Sequence, residues 1–521
     1  MAKPFYITTP LYYVNAAPHI GHSYTTIAAD CLARYHRLNG EDVFFLTGTD
    51  EHGEKIAQAA QAQGLEPKTF ADQTSQTFKT LWRTLGISYD RFIRTTDPDH
   101  EHVVQRALER LRPQLERGTY TFWYCIPCET SFGLNELDAT KAVCPNCQRP
   151  VKQVEEEDYF LSLERHREWL KRYIEEHDTF ILPPERRNEV LALLKNPLPD
   201  LCITRPKDRV PWGIEVPFSK THVTYVWVDA LLNYISALGW PDDPRFPRCW
   251  EEAGAIHLIG KDILRHHALY WPIILRALGV SPPRMIFAHG WWKVGEQKMS
   301  KSRGNIVDPY VVMREVLKPQ PYASDVYRYF LLREVPFGQD GSFSEEALLA
   351  RLHADLANDL GNLVHRTLSM IERYSQGKIS APGPIGCAVG DEPLRQEALS
   401  LAQKLEAAMR LVNFAEALDV MFQLVTHANR YIEAQAPWQL AKESQSARLQ
   451  TVLNVLAEVI RIVAIALEPF MPSVSHAIWD QLGSGSAPRR LADASRWPGL
   501  ISGQPLGKRT VLFPHIETVV P

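Results

Sequence analysis

The chain has 521 residues, 45% of them apolar and 23% charged, and a formal net charge of -4 at pH 7. Those proportions exclude a fibrous or disordered chain, and the length calls for three or four packed units. The slight acidity excludes a protein that coats nucleic acid through overall charge, so any polynucleotide contact is local.

The opening MAKPFYITTP carries no basic segment followed by an apolar stretch, and no uninterrupted apolar run is long enough to span a bilayer. A cytoplasmic protein with no membrane attachment is the expectation. Eight cysteines are present; Cys31, Cys202, Cys249 and Cys387 stand alone, and the other four form two close pairs. That arrangement suits a metal in a reducing compartment better than a disulfide framework.

In chain order, Phe5–Thr9 and Val43–Leu46 are β-prone apolar runs, each followed by small residues and a helix-like pattern. This alternation predicts a parallel α/β sheet. Near residue 120 it gives way to a Cys-rich, turn-rich passage, then to Pro-punctuated segments, which read as an insertion. Strand-like runs resume at Thr224–Val228, Ile256–Ile259 and Met285–Ala288, so the sheet is split in sequence. From Leu348 the pattern is helical. Leu449, Val452, Leu453, Leu456, Val459, Ile460, Val463 and Leu467 form one wide apolar stripe that Pro469 ends, which predicts a C-terminal helical bundle. The expected division is 1–115 for the first half of the sheet domain, 116–204 for the insertion, 205–293 for the second half, 294–347 for a linking domain, 348–500 for the bundle and 501–521 for a tail.

Cys125-x-x-Cys128 and Cys144-x-x-Cys147 are separated by 15 residues, a spacing that fits a tetrahedral four-cysteine zinc site. Such a site leaves no open coordination position, so one structural Zn²⁺ is expected; the competing reading is a pair of redox thiols. His19-Ile20-Gly21-His22 follows the first strand at the expected start of a helix. Its imidazoles share one face near a helix N-terminus, where phosphate binds well, and Gly21 lets a flat ring approach the backbone. Lys298-Met299-Ser300-Lys301-Ser302, in GWWKVGEQKMSKSRGN, places two ammonium groups and two hydroxyls on a Gly-flanked loop suited to a leaving pyrophosphate. Each motif alone arises by chance, as satisfied histidines or as a solvated basic loop. The two in this order do not. No GxxxxGK[ST] loop is present, which disfavours a P-loop enzyme.

The pair resembles the class I aminoacyl-tRNA synthetases, which implies a Rossmann-like sheet and activation of an amino acid by ATP with Mg²⁺, followed by transfer to tRNA. By matching motifs, His19, Gly21 and His22 would hold ATP, and Lys298, Ser300 and Lys301 would stabilise the departing phosphates. The length leaves little room for the editing insertion of the valine, leucine and isoleucine members. Three segments resemble the methionine-specific members: Leu11-Tyr12-Tyr13, TYVWVDALLNY and GKDILRHHALYW. The resemblance implies an aromatic-lined thioether pocket of Leu11, Tyr13, Trp227, Ala230, Tyr234, Asp262, Ile263, His267 and Trp271, with Asp50 in TGTDEHG taking the α-amino group. It also implies that Asn362, Arg366 and Trp438 meet the anticodon of tRNA(Met). Some relatives continue into a dimerising domain, and a monomer is expected here. A cysteine-specific synthetase, a nucleotidyltransferase and a non-catalytic RNA-binding relative are the competing readings.

Overall fold

The computed structural model describes residues 2–516 apart from 129, 135–136, 138–141, 146, 295–296, 299–305, 319, 382–389 and 486–488. The chain forms two compact units. The first holds residues 1–18, 42–83 and 87–290, and the second holds 19–41, 84–86 and 291–521.

In the first unit, β1 (Pro4–Tyr13) and β2 (Asp42–Asp50) are rich in Phe, Tyr, Thr and Val and are buried over most of their length. Burial on both faces is the signature of an interior parallel strand. A six-stranded sheet results, in the order β3 (Arg91–Arg94), β2, β1, Ala255–Gly260, Met285–His289, Ile181–Leu182, with every neighbouring pair parallel. Its two halves come from distant stretches of sequence and meet at β1, as expected of a split Rossmann-like sheet. Gly48 on β2 is there for a steric reason. A Cβ at that position would come within 1.9 Å of the Ile93 carbonyl oxygen on β3.

Two expectations need correction. Thr224–Val228 is not a strand of this sheet. His222–Thr224 pairs antiparallel with Thr204–Pro206, and Val226–Ser236 is a helix. All of that helix except Trp227 is buried, so packing overrides the β preference of its valines. The sheet edge, Ile181–Leu182, comes from within the expected insertion. The rest of the insertion is built on a second sheet, in which Leu115–Cys125 and Lys152–Leu161 run antiparallel, flanked by Thr130–Phe132 and Leu201–Cys202.

The second unit is mainly helical. Its bundle comprises Asn362–Tyr374, Asp391–Arg410, Phe414–Gln435, Ser446–Leu467 and Pro472–Gln481. Among the described residues, Ser446–Leu467 is the one helix with the length and composition of a membrane span, and 94% of its most apolar window is buried inside the protein. It is the core of the bundle. Helix α1 (Ile20–Leu38) belongs to this unit and is anchored there by a buried ion pair. Arg328 Nη1 lies 2.7 Å from Asp30 Oδ2, and both side chains are wholly buried. Arg328 also donates to the carbonyls of Phe470 and Pro469, each at 3.0 Å, and Arg34 Nε donates to the same Asp30 oxygen at 2.8 Å.

Removing one partner of such a pair strands a charge, so Arg328→Met should cost about 3–5 kcal/mol in urea denaturation. The double variant with Asp30→Asn should lose less than the sum of the two single losses.

Candidate active site and metal centre

In the second unit, the histidine motif forms the N-terminus of α1. His19 is the N-cap, with extended backbone. Its Nδ1 accepts from the Gly21 amide at 3.1 Å, and His22 Nδ1 accepts from the His19 amide, also at 3.1 Å. The rings stack with centroids 3.8 Å apart. This is a capping box made of imidazoles. With both Nδ1 atoms accepting, each neutral ring carries its proton on Nε2, which is the donor a phosphate oxygen needs. A Cβ on Gly21 would meet the His19 ring at 3.0 Å, so any other residue here would crowd the cap. The Ile20 amide donates to the Val307 carbonyl at 3.1 Å, tying this turn to the segment that follows the lysine loop. Lys298 ends a short hairpin in which Gln297–Lys298 pairs antiparallel with Trp292–Val294. Ser300 and Lys301 lie outside the described residues.

The ten residues expected to hold methionine all lie in the first unit. Tyr13 and Asp50 are direct neighbours in the register of β1 and β2, at the carboxyl ends of the strands where open α/β sheets bind ligands. Leu11 and Ile263 are partly buried against the main core, as are Tyr13 and Trp227. Ala230 lies one helical turn from both Trp227 and Tyr234. Asp262 shares the turn Lys261–Ile263 with Ile263. His267 Nδ1 bonds the Ile263 carbonyl at 3.0 Å and so must carry the proton. Its Nε2 therefore accepts from the Tyr234 hydroxyl at 2.7 Å. Burial pushes His267 down to about 4, which keeps the ring neutral. Trp271 Nε1 donates to His257 Nε2 at 3.2 Å, and the His257 ring stacks on Tyr234 at 4.0 Å. The polar atoms of Tyr234, His257, His267 and Trp271 thereby pair with one another and with the Ile263 carbonyl.

Asp50 is different. It is 4% exposed, and its Oδ1 has no hydrogen-bond partner among the described residues. Burial, with Asp229 and Glu51 nearby, holds its carboxyl well above the usual carboxylate range. An arriving ammonium reverses that balance, so the site is suited to a cation.

The four expected metal cysteines converge, with all their sulfurs within 4.8 Å of one another. Cys125 and Cys147 Sγ are 3.6 Å apart, and Cys144 and Cys128 are 3.9 Å apart. A tetrahedron with Zn–S bonds of about 2.3 Å has edges of about 3.8 Å, so the set fits the ion. Hydrogen bonding from Cys128 pulls the Cys125 thiol down to about 5. In the bundle, Arg366 lies 5.8 Å from the Trp438 ring centroid and pairs with Glu433 at 2.7 Å. Asn362 begins the same helix one turn earlier.

The family model described as tRNA synthetases class I (M) matches residues 5–153 and 148–368, and an anticodon-binding domain of tRNA ligases matches 391–504. A methionine–tRNA ligase of Caldanaerobacter subterraneus subsp. tengcongensis is 46% identical over 99% of this chain and 80% of its own length. The Thermotoga maritima enzyme of the same name is 43% identical over 97% and 80%. The chain belongs to the class I methionyl-tRNA synthetases. Mycobacterium tuberculosis methionyl-tRNA synthetase in complex with methionyl-adenylate superposes with a TM-score of 0.93 at 41% identity, covering 98% of this chain and 100% of that one. Its apo form gives 0.86 at 38%, covering 99% of each.

Sequence reasoning missed a buried chain behind Asp50. Asp229 receives His52 Nδ1 on one oxygen and His100 Nε2 on the other, each at 2.7 Å, and His100 Nδ1 meets Ser236 Oγ at 2.7 Å. Burial raises the Asp229 carboxyl, but the two histidines outweigh it and hold the group ionised. His52 and Asp229 stood inside TGTDEHG and VWVDALLNY, next to residues that were singled out; nothing marked His100. His266, stacked on Trp227 at 3.7 Å, was also missed.

Burial lowers His257, His266, His267 and His289, all in the first unit. Below about pH 6.5 the unfolded chain binds protons that these rings refuse, so their contribution to stability is complete above that value and declines as pH falls toward 4. The raised carboxyls of Asp50, Glu101, Glu156 and Asp158 in the same unit act in the opposite sense. Between pH 7 and pH 5 the unfolding free energy from urea titration should therefore fall by less than the four histidines alone would require, about 1.4 kcal/mol per ring per pH unit.

Proposed function

We propose that the protein activates L-methionine with ATP to form methionyl-adenylate and transfers the methionyl group to tRNA(Met). The observation that carries the substrate side is Asp50, a buried carboxylate with a partnerless oxygen beside Tyr13 at the carboxyl end of the sheet. Asp50 takes the α-ammonium of methionine. Leu11, Trp227, Ala230, Ile263 and Trp271 enclose the thioether, and Asp262 belongs to the same pocket. The Tyr234 hydroxyl donates its hydrogen bond to His267 and so presents oxygen lone pairs. Tyr13 closes over the substrate.

The methionine carboxylate attacks the α-phosphorus, a new P–O bond forms, and the bond to the β-phosphate oxygen breaks to release pyrophosphate. No covalent enzyme intermediate is needed, so the protein contributes positioning and charge stabilisation. Through their Nε2 protons His19 and His22 hold phosphate oxygens, Gly21 faces adenine, and Lys298, Ser300 and Lys301 act on the departing pyrophosphate. Mg²⁺ bound with ATP supplies further neutralisation of phosphate charge. A terminal ribose hydroxyl of tRNA then attacks the activated carbonyl carbon and AMP leaves.

Cys125, Cys128, Cys144 and Cys147 hold one structural Zn²⁺, an assignment supported by the sulfur spacing. A cysteine-specific enzyme needs its zinc to bind substrate, and a closed four-thiolate site has no position to offer. Asn362, Arg366 and Trp438 read the anticodon, Trp438 by stacking. A monomer working in the cytoplasm completes the reading.

Amino-acid-dependent ATP–pyrophosphate exchange across the standard amino acids should show one clear preference, for methionine; preference for any other residue would sink the assignment. An apolar pocket discriminates by only about 1–3 kcal/mol per methylene, so weak exchange with near-isosteres is expected. Trp438→Ala should lower tRNA aminoacylation about 5- to 150-fold while exchange stays within about twofold. Equal losses in both assays would instead mean that the bundle had been damaged.

A further inference from the structure

Lys55 has been given no role above, although its charge favours the ionised form of Asp50. It lies in the first turn of α2 (Glu54–Ala62), five residues after Asp50, and α2 packs against Ile126–Cys128 of the first cysteine knuckle. The side chain is partly buried, with Nζ 5.1 Å from the Tyr13 ring centroid. The Asn15 amide, oriented so that both its ends are paired, accepts from this ammonium at 3.3 Å and donates to the Tyr13 carbonyl at 3.2 Å. On its other side the charge is felt by Cys128, Cys125 and Cys147, with Arg149 opposing. All of these residues belong to the first unit.

An ordinary lysine on a helix extends its ammonium into water. This one lies over an aromatic ring of the proposed substrate pocket, on a helix packed against the first cysteine knuckle. A Zn²⁺ ion with four thiolates carries a double negative charge, and groups outside the ligand set that balance and orient such a centre tune its affinity. Tyr13 is at the other end of the lysine. Its hydroxyl donates to the His52 carbonyl at 3.1 Å, its backbone pairs with Asp50, and it packs against the small core of Val14, Ile56, Ala60, Phe70 and Ala71. A cation drawn toward the loaded knuckle is thereby fixed over the ring that borders the methionine site.

We propose that Lys55 is a positioning residue that couples the two, the charge of the metal-loaded cysteine knuckle holding Lys55, and Lys55 holding Tyr13 over bound methionine. The inference rests on the assignment of Tyr13 to methionine and of the four cysteines to zinc.

The test uses the full-length, zinc-loaded protein and compares wild type with Lys55→Met, which keeps the length of the side chain without its charge, and with Lys55→Arg. Zinc release to a chromogenic chelator is followed directly, and the methionine KM and kcat are taken from ATP–pyrophosphate exchange at saturating ATP. For Lys55→Met, release should quicken about tenfold. The methionine KM should rise about 2- to 30-fold, the range of a lost cation–aromatic contact, with a smaller change in kcat. Lys55→Arg should recover most of both. Should Lys55→Met fail to fold, Lys55→Gln replaces it.

A wild-type methionine KM in the neutral variant overturns the coupling, and so does wild-type zinc release. Equal defects in the Met and Arg variants overturn it too, since they would indicate lost packing. Protein purified without zinc overturns it outright. Wild-type exchange, measured first, shows separately whether the functional reading holds, because the Lys55 coupling is judged on variant-to-wild-type ratios and on zinc release.

Discussion

The pairing of β1 with two strands from opposite ends of the sheet domain's sequence is the constraint on which the rest depends. On one side Tyr6 pairs with Phe44, and on the other the same residue pairs with Ala255. The register that follows sets Asp50 beside Tyr13 and His257 beside Thr8, whose hydroxyl meets His257 Nδ1 at 2.8 Å. From His257 the order passes to Trp271 and Tyr234, and from Tyr234 to His267. A slip of one residue on either side of β1 would turn Asp50 or His257 to the opposite face and away from these partners. The pocket is therefore specified by backbone pairing before any side chain chooses a rotamer.

Within that frame the expensive step is burying acid. Asp50 and Asp229 are both buried, and each raises the cost of ionising Asp50. The two carboxyls are resolved in opposite directions: Asp229 receives two imidazoles and stays charged, while Asp50 keeps an unfilled oxygen and a raised proton affinity. A group left in that condition destabilises the empty protein and is relieved by a cation. In the proposed role of Asp50, folding energy is thereby held back for the substrate ammonium, the usual trade at a functional site.

Much of this was legible in the sequence. The apolar runs of β1 and β2 and the stripe along Ser446–Leu467 announce buried elements because burial selects composition directly. The cysteine spacing announces the knuckles because tetrahedral geometry fixes the ligands. Thr224–Val228 was misread because β-branched residues at the start of a largely buried helix look like a strand until its neighbours are known. His100 was invisible for a related reason. Its role consists of contacts to Asp229 and Ser236, more than a hundred residues away, and local pattern carries no trace of them.

The histidine motif shows how one set of atoms meets two demands. A helix N-terminus needs acceptors for its first amides, and serine or aspartate ordinarily provides them. Here the Nδ1 atoms of His19 and His22 do so, and that choice fixes the tautomer that places a proton on each Nε2. A serine cap would satisfy the helix equally well but would offer no ring nitrogen to a phosphate. An aspartate cap would repel one. A neutral imidazole accepts from the backbone with one ring nitrogen and donates with the other, so the two bonds that start the helix also fix the Nε2 protons that the proposed phosphate contacts use.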